Sequence, residues 1–265
     1  MLPEPRTAQG RAGLAALLAR PGDALVALDY DGTLAPVVAR PQDAVPQPGA
    51  VEVLRRLSRV VGLALVTGRP VDVVLALTGL SDLPDLQVLG QYGSQHWRAG
   101  RLTAEPAVPG LARARTALPL LVGPEGAQVE DKGLSLVVHT RRAPDPSGAL
   151  VRLRPAVEQL AAGTGLQVHP GRLVLELRAP GHDKGTAVGR LLPGRSAVLY
   201  AGDDLGDLPA YDEIDRARED GVPGLLVCSD SEETPASLRE RADLVVPGPA
   251  GVVALLVALA DVLSG

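Results

Sequence analysis

The sequence is poor in aromatic side chains and has no phenylalanine. Aromatic residues make up 2% of the 265 positions and apolar residues 46%, so a core must consist mainly of leucine, valine and alanine. Proteins that read single-stranded nucleic acid usually stack bases on aromatic side chains, and few are present here. The formal charge of −5 also excludes a broad basic field, so we expect no nucleic-acid partner.

Cysteine is nearly absent as well. Cys228 is the single cysteine, which excludes an intrachain disulfide and fits a reducing compartment. It lies in an apolar run, 224–229, where we expect a small buried side chain rather than a nucleophile. The N-terminus lacks a signal-peptide pattern, and the apolar segment 251–263 is too short to cross a bilayer. We therefore expect a cytoplasmic monomer without a membrane partner.

Short runs rich in valine and leucine alternate with amphipathic stretches along most of the chain. The runs lack strict polar alternation, which is typical of strands buried on both faces. The pattern predicts an α/β fold with a Rossmann-like, doubly wound parallel sheet covered by helices on both sides. The predicted strands are 24–29, 61–66, 86–90, 196–201, 224–228 and 243–246, and the predicted helices are 48–59, 70–78, 184–192, 206–218, 234–241 and 250–263.

The middle of the chain breaks this alternation and is flanked by joints rich in proline and glycine at 107–110 and 179–181. We predict that residues 109–178 form a smaller α/β domain inserted into a core of residues 1–108 and 179–265. Its predicted elements are helices at 110–118 and 148–162 and strands at 133–141, 165–169 and 172–178.

Two aspartates follow the first predicted strand. Asp29 and Asp31, in the segment Ala-Leu-Asp-Tyr-Asp-Gly-Thr-Leu-Ala-Pro (27–36), point to the same side of an extended chain. Ligands of a parallel sheet gather beyond the carboxyl ends of its strands, and Mg²⁺ would relieve the repulsion between two carboxylates. Gly32 and Thr33 then offer backbone N–H groups to an anion. An Asp-rich turn is the alternative, and this segment alone does not decide between them.

Three further polar clusters occupy similar places. Thr67, in the segment 65–70, stands where it presents a hydroxyl and an amide to a phosphate, or else caps a helix. Lys184 precedes a helix, where it neutralises a carboxylate and a phosphoryl oxygen or is a solvated surface charge. The segment Gly-Asp-Asp-Leu-Gly-Asp (202–207) is either a cation site or a polar loop. The four clusters in this order are far less probable by chance than any one alone.

The ordered set resembles the haloacid dehalogenase superfamily of phosphotransferases, in the segments 29–34, 67–69, Lys184 and 202–204. The insertion looks like the cap of the sugar-phosphatase branch. Within that branch the chain is most similar to the trehalose-6-phosphate phosphatase family, through the segments 129–133, 139–141 and 175–178. It departs from the family at Thr140, at Leu208 and at Gln95, where the family has Tyr, Glu and Glu.

The resemblance implies a Mg²⁺-dependent phosphatase that hydrolyses trehalose 6-phosphate. Asp29 would be the nucleophile, and Asp31, protonated at the start, would protonate the leaving oxygen. Thr67 and Lys184 would bind the phosphoryl group. The metal ligands would be Asp29, Asp31 through its backbone carbonyl, and Asp203, with Asp204 or Asp207 orienting metal-bound water or Lys184. The implied substrate-binding residues are Gly32, Thr33, Gly68 and Arg69 in the core and Glu130, Lys132, His139, Arg141 and Glu176 in the insertion.

Two alternatives stay open at this point. One is a phosphatase of the same branch that acts on another sugar phosphate, of the sucrose phosphate or glycosyl-phosphoglycerate type. The other is a catalytically silent protein that binds a sugar phosphate.

Overall fold

A computed structural model describes residues 1–38, 40–171 and 173–264. The chain divides into two compact units, which we call the core unit (Met1–Thr103 with Asp183–Gly265) and the inserted unit (Ala104–His182). The helices are α1 (Ala8–Ala19), α2 (Ala50–Leu57), α3 (Val71–Thr78), α4 (Pro109–Val122), α5 (Pro146–Thr164), α6 (Lys184–Gly189), α7 (Leu208–Glu219), α8 (Ala236–Arg241) and α9 (Gly248–Ser264). The strands are β1 (Leu25–Leu28), β2 (Gly62–Val66), β3 (Leu86–Gly90), β4 (Gln95–Arg98), β5 (Arg101–Ala104), β6 (Gln128–Asp131), β7 (Ser135–His139), β8 (Gln167–Gly171), β9 (Val174–Arg178), β10 (Val198–Gly202), β11 (Gly224–Asp230) and β12 (Leu244–Pro247).

The core sheet confirms the predicted doubly wound parallel architecture. Its strand order is β12-β11-β10-β1-β2-β3-β4-β5, and the first six strands in that order are parallel. Those six are the predicted strands, with ends shifted by at most two residues. The strand β4, which was not predicted, pairs antiparallel with β3 and extends the sheet.

Both faces of the core sheet are apolar, which explains why its strands lack polar alternation. In β1, Val26 and Leu28 belong to one apolar cluster with α2, α3 and α9. Leu25 and Ala27 belong to a second cluster with α6, α7 and α8. Successive residues of a strand point to opposite faces, so helices on both sides require an uninterrupted apolar run.

The helix α1 was not predicted because its apolar residues are spread around the helix and do not form a one-sided stripe. Thr7 caps it by accepting a hydrogen bond from the Gly10 N–H at 2.9 Å. Its buried residues are Gly10, Gly13 and Leu17, of which only Leu17 is a large apolar side chain. A Cβ at Gly13 would overlap the Gly224 carbonyl of β11, and a Cβ at Gly10 would overlap the Asp243 side chain, so both glycines allow the helix to pack closely at these points.

The inserted unit is a four-stranded antiparallel sheet, in the order β6-β7-β9-β8, with α4 and α5 packed on one face. Leu136 and Val138 of β7 and Leu175 and Leu177 of β9 form the apolar face. The alternate residues of these strands form the opposite face and include two of the predicted polar side chains, His139 of β7 and Glu176 of β9. The predicted strand 172–178 begins at Arg172, which lies outside the described residues.

Cys228 is fully buried in β11, as predicted, and burial raises the pKa of its thiol to about 12. Within the described ranges, none of the helices combines the length and the apolar character needed to span a bilayer.

Candidate active site

Three polar side chains lie side by side at the carboxyl ends of core strands. Asp29 follows β1, Thr67 follows β2 and Asp203 follows β10, with β1 in the middle. The winding reverses at β1, because β2 and β3 lie on one side of it and β10, β11 and β12 on the other. Parallel α/β sheets bind their ligands at such a reversal.

Lys184, at the start of α6, places its ammonium group among these carboxylates. The residue is 4% exposed, and Nζ lies 2.8 Å from Asp29 Oδ1 and 2.7 Å from Asp207 Oδ1. Burial lowers the pKa of Lys184, but the charges of Asp207 and Asp29 outweigh burial and hold the pKa well above its usual value. Lys184 is therefore a buried, charged side chain and not the solvated surface lysine of the alternative.

Asp207 fixes Lys184 and is itself saturated with hydrogen bonds. Its Oδ1 accepts from Lys184 Nζ at 2.7 Å and from the Tyr200 hydroxyl at 2.6 Å. Its Oδ2 accepts from the backbone N–H groups of Asp203 and Asp204 at 2.9 and 3.1 Å. Burial raises the pKa of Asp207, but Lys184 and the hydrogen bonds bring it below the usual value. Asp204 lies farther off, with Oδ1 3.9 Å from Nζ and a side chain 64% exposed.

The cluster carries more negative charge than its surroundings balance. Carboxylate oxygens of Asp29, Asp203 and Asp207 lie within 4.8 Å of one another. Burial raises the pKa of Asp29 well above its usual value, despite the opposing charge of Lys184. Burial, followed by the charges of Asp29 and Asp207, raises the pKa of Asp203 to about 10. A cation would relieve this repulsion.

The available oxygens fit a hard divalent cation. Asp203 Oδ1 is buried and has no hydrogen-bond partner among the residues that the structure describes. Asp207 is close enough to be a ligand, but all four of its acceptor positions are occupied. Asp29 and Asp203 are therefore the side chains with capacity for a metal ion, and carboxylate oxygens are the ligands that Mg²⁺ prefers.

The turn after Asp29 is shaped around Asp203. Gly32 has φ +76°, and a Cβ there would overlap the Asp203 carboxylate. The Ala35 N–H donates to the Tyr30 carbonyl at 2.9 Å, and the Gly32 N–H donates to the Ala35 carbonyl at 2.7 Å. These bonds leave the carbonyl of Asp31 unused by the turn. They also show that the expectation of a Gly32 N–H facing an anion is wrong.

Asp31 lies in a bidentate ion pair with Arg69. Nε and Nη2 of Arg69 donate to the two carboxylate oxygens, each at 2.6 Å. The guanidinium also lies over the Tyr30 ring, 5.5 Å from its centroid, and donates to the Pro41 carbonyl at 2.8 Å. This pair engages both carboxylate oxygens of Asp31, whereas the family resemblance implies that one of them begins with a proton. Arg69, predicted to bind substrate, binds Asp31 in this structure.

Thr67 presents only its hydroxyl. Its N–H donates to the Leu89 carbonyl at 3.0 Å, so the predicted contact of this amide with phosphate is wrong. The hydroxyl oxygen accepts from the Arg69 N–H at 3.1 Å, which leaves the hydroxyl hydrogen able to donate to a ligand. The nearby Thr33 hydroxyl is buried and has no hydrogen-bond partner within the described part of the chain; the Thr33 N–H donates to the Tyr30 carbonyl at 3.4 Å.

The start of α3 accounts for the departure at Gln95. Pro70 is the N-cap of this helix, and the Val71 N–H donates to Gln95 Oε1 at 2.8 Å. The glutamine oxygen thus satisfies an N-terminal donor that a glutamate oxygen would also satisfy. A Cβ at Gly68 would lie 2.7 Å from the Tyr92 hydroxyl, so a larger residue here would displace the Tyr92 side chain.

Glu176 is the centre of a polar group in the inserted unit. It is 6% exposed, accepts from the Ser135 hydroxyl at 2.8 Å and lies 3.9 Å from Lys132 Nζ. Arg178 Nη1 lies 3.8 Å from its other oxygen. Sequence reasoning missed Arg178 as a member of this group. The signal was present, because residues two apart in a strand share one face.

Glu130 and His139 meet across neighbouring strands. Glu130 Oε2 and His139 Nε2 are 2.8 Å apart, which answers whether His139 packs or joins the polar set. Arg141 lies beyond the end of β7 and is exposed. In the core unit, the sequence did not predict the contact of the Tyr200 hydroxyl with Asp207, because Tyr200 lies within the apolar strand β10.

The parallel sheet and the inserted unit give a fold similar to that of a haloacid dehalogenase-like hydrolase from Bacteroides thetaiotaomicron, with a TM-score of 0.65 at 16% identity over 89% of this chain and 99% of that chain. The chain belongs to the trehalose-phosphatase family, whose model matches residues 27–243. The C-terminal domain of trehalose-6-phosphate phosphatase from C. albicans has a similar fold, with a TM-score of 0.79 at 20% identity over 98% of this chain and 99% of that chain.

Two curated mycobacterial relatives are longer than this chain. An uncharacterized glycosyl hydrolase of Mycobacterium tuberculosis (strain ATCC 25618 / H37Rv) is 36% identical over 205 residues, which cover 71% of this chain and 15% of the relative. The trehalose-phosphate phosphatase of Mycobacterium leprae (strain TN) is 29% identical over 221 residues, which cover 75% of this chain and 49% of the relative. The chain thus spans half or less of these relatives.

Proposed function

We propose that this chain is a Mg²⁺-dependent phosphatase that hydrolyses trehalose 6-phosphate to trehalose and inorganic phosphate, a reaction of trehalose biosynthesis. The observation that carries the proposal is the buried contact of Asp29 with Lys184 at the reversal of a parallel sheet, in a chain of the trehalose-phosphatase family.

Asp29 is the proposed nucleophile. One of its oxygens bonds to phosphorus while the bond from phosphorus to the sugar oxygen breaks, which leaves an aspartyl-phosphate. Water then attacks that phosphorus, releases inorganic phosphate and restores Asp29. Lys184 and the Thr67 hydroxyl donate to the phosphoryl oxygens as charge moves in the transition state. Burial of Lys184 favours this role because its charge is not screened by water.

Asp31 is the proposed proton carrier. It gives a proton to the departing sugar oxygen and later takes one from the attacking water. Because the ion pair with Arg69 uses both oxygens of Asp31, the pair must open before the carboxyl group can hold and deliver a proton. Arg69 is then available to a substrate oxygen.

Asp29, Asp203 and the backbone carbonyl of Asp31 are the proposed holders of Mg²⁺, which when bound offsets the repulsion between carboxylates and phosphate. The buried Oδ1 of Asp203, which has no hydrogen-bond partner within residues 1–38, 40–171 and 173–264, supports this assignment. Asp207 keeps Lys184 in position, and Asp204 is too exposed to share that role.

We assign substrate selection to the inserted unit as the cap of this phosphatase. Its polar face offers strong acceptors at Glu130 and Glu176 and a donor at Lys132, which suit the hydroxyls of a disaccharide. Burial of Glu176 supports a fixed position, since ordered polar groups discriminate hydroxyl patterns better than mobile ones.

The test is phosphate release from a panel of sugar phosphates with Mg²⁺. We expect kcat/KM for trehalose 6-phosphate to exceed that for sucrose phosphate and for glycosyl-phosphoglycerate substrates by at least about tenfold. Asp29→Asn should abolish turnover, whereas the surface variant Asp82→Asn should not change it. Equal rates across the panel would refute the substrate, and an inert protein would indicate a sugar-phosphate sensor.

A substrate without a sugar distinguishes the role of the inserted unit from that of the core unit. Glu176→Gln should raise KM for trehalose 6-phosphate and leave hydrolysis of p-nitrophenyl phosphate, which has no sugar, near the parent value. The exposed Glu158→Gln of α5 is the matched control. Equal losses with both substrates would contradict a sugar-binding role for Glu176.

A further inference from the structure

A cavity of about 290 Å³ lies in the core unit at the amino ends of β2 and β3, whereas the carboxylate cluster lies at the carboxyl ends of the strands. Gly62, in its lining, is the first residue of β2, and Asp85 directly precedes β3. The strand β2 runs from this cavity to Thr67. Five residue steps of about 3.3 Å place the two sites about 16 Å apart, so this cavity is not part of the candidate active site.

The cavity is lined by Arg59, Arg98 and Arg195 and by one acid, Asp85. Within residues 1–38, 40–171 and 173–264, neither Arg59 nor Arg98 has a side-chain hydrogen bond or an ion pair. The lining therefore carries a net charge of +2 in a chain whose formal charge is −5. Like charges gathered without counter-ions repel, and an anion would lower that repulsion.

Arg195 reaches the cavity because β2 begins with glycine. A Cβ at Gly62 would lie 2.6 Å from Arg195 Nη1, so a larger residue would displace the guanidinium. Its hydrogen bonds are long, with Nη1 3.5 Å from the Ala24 carbonyl and Nε 3.4 Å from the Leu191 carbonyl. Both distances exceed the usual range for N–H donors, so the group retains capacity for a better acceptor.

Gln87 adds a neutral donor to the lining. Its Oε1 and His96 Nε2 are 2.9 Å apart, and this bond leaves the amide nitrogen of Gln87 to donate elsewhere. The positive field extends beyond the cavity. Burial lowers the pKa of His96, and the charges of Arg98 and Arg190 lower it further.

We propose that this cavity binds a small phosphate-bearing anion. Guanidinium groups match the oxygens of phosphate in paired hydrogen bonds, and three arginines line this cavity together with Gln87. The volume suits a compact ligand rather than a polymer. Binding at this cavity does not rest on the catalytic activity proposed above.

The test is calorimetric titration of the Mg²⁺-loaded protein with inorganic phosphate at constant ionic strength. We compare the parent with the double variant Arg59→Gln/Arg98→Gln and with the control Arg101→Gln/Arg154→Gln, which removes the same charge from exposed positions outside the cavity. Phosphate binding at the active site is common to all three. We expect the cavity variant to lose one phosphate site, or to weaken it by at least about tenfold, and the control to keep it.

Asp85→Asn should increase the affinity for phosphate, a result that misfolding of the variant would not produce. Removing the competing carboxylate should tighten phosphate binding about threefold, without a change in phosphatase turnover. The proposal is overturned if the two double variants bind phosphate alike, because a general charge effect would then explain the data. It is also overturned if the parent has only the active-site phosphate.

Discussion

Asp207→Asn should strongly destabilise the core unit, although it changes a single oxygen to nitrogen. The carboxylate accepts four hydrogen bonds, from Lys184, Tyr200 and the N–H groups of Asp203 and Asp204. Asparagine keeps one acceptor oxygen, so two of these donors would face an NH₂ group. Lost buried partners cost about 1–3 kcal/mol each, and removing one member of a buried ion pair costs about 3–5 kcal/mol. Since the two costs overlap here, we expect a loss of about 3–5 kcal/mol.

The assay is urea denaturation of the metal-free protein followed by tryptophan fluorescence. Trp97 is the single tryptophan and is buried in β4, so its signal reports the core unit. Asp204→Asn is the matched control. The Asp204 side chain is mostly exposed and caps a short turn through the Gly206 N–H, a role that asparagine fills equally, so its cost should stay below about 0.5 kcal/mol. A cost for Asp207→Asn below about 1 kcal/mol would refute the reasoning from buried hydrogen bonds.

Three further changes test other parts of the site. Gly32→Ala should reduce kcat at least about tenfold, because its Cβ overlaps the Asp203 carboxylate, whereas Gly163→Ala in α5, with open space around it, should leave kcat unchanged. Arg69→Gln removes the partner of Asp31. The change in kcat should be larger with trehalose 6-phosphate than with p-nitrophenyl phosphate, because the leaving group of p-nitrophenyl phosphate needs no proton. Equal changes with the two substrates would argue against proton delivery by Asp31. The pKa of Asp203 is raised to about 10, so between pH 3.8 and about 10 the metal-free folded state keeps a proton that the unfolded chain has lost. The contribution of this group to the free energy of unfolding therefore declines as pH rises through that range. Thermal melting should therefore show a larger stabilisation by Mg²⁺ at about pH 8.5 than at about pH 6, and a smaller one would contradict it.

The parallel core was predictable because its strands are buried on both faces. A short, uninterrupted apolar run is typical of a strand that is buried on both faces. When such runs alternate with amphipathic helices, the pattern predicts a parallel sheet. The elements that escaped prediction lack this property. All four residues of β5 are exposed, and the apolar residues of α1 do not repeat on one face of the helix, so neither element gives a periodic apolar pattern in the sequence.

The places of the site residues were predictable where they depended on topology alone. Asp29, Thr67 and Asp203 each follow a parallel strand, and adjacent strands bring their ends together. The partners of individual groups depended on rotamers and turns instead. Arg69 follows Thr67 by two residues, but its pairing with Asp31 requires a side-chain direction that spacing does not determine.

The three acids of segment 202–207 show how one turn divides roles that the sequence leaves equivalent. Asp204 precedes the single 3₁₀ turn Leu205–Asp207, and Asp207 ends it. The Asp204 side chain accepts a hydrogen bond from the Gly206 N–H, and the Asp207 side chain accepts one from the Asp204 N–H. That reciprocal capping turns Asp207 inward to Lys184 and leaves Asp204 towards solvent. Asp203, just before the turn, is held by its N–H rather than its carboxylate, so its buried Oδ1 stays without a hydrogen bond among the described residues. The acid that is least satisfied is therefore the one best suited to a cation, and the most satisfied acid is the one that positions the lysine.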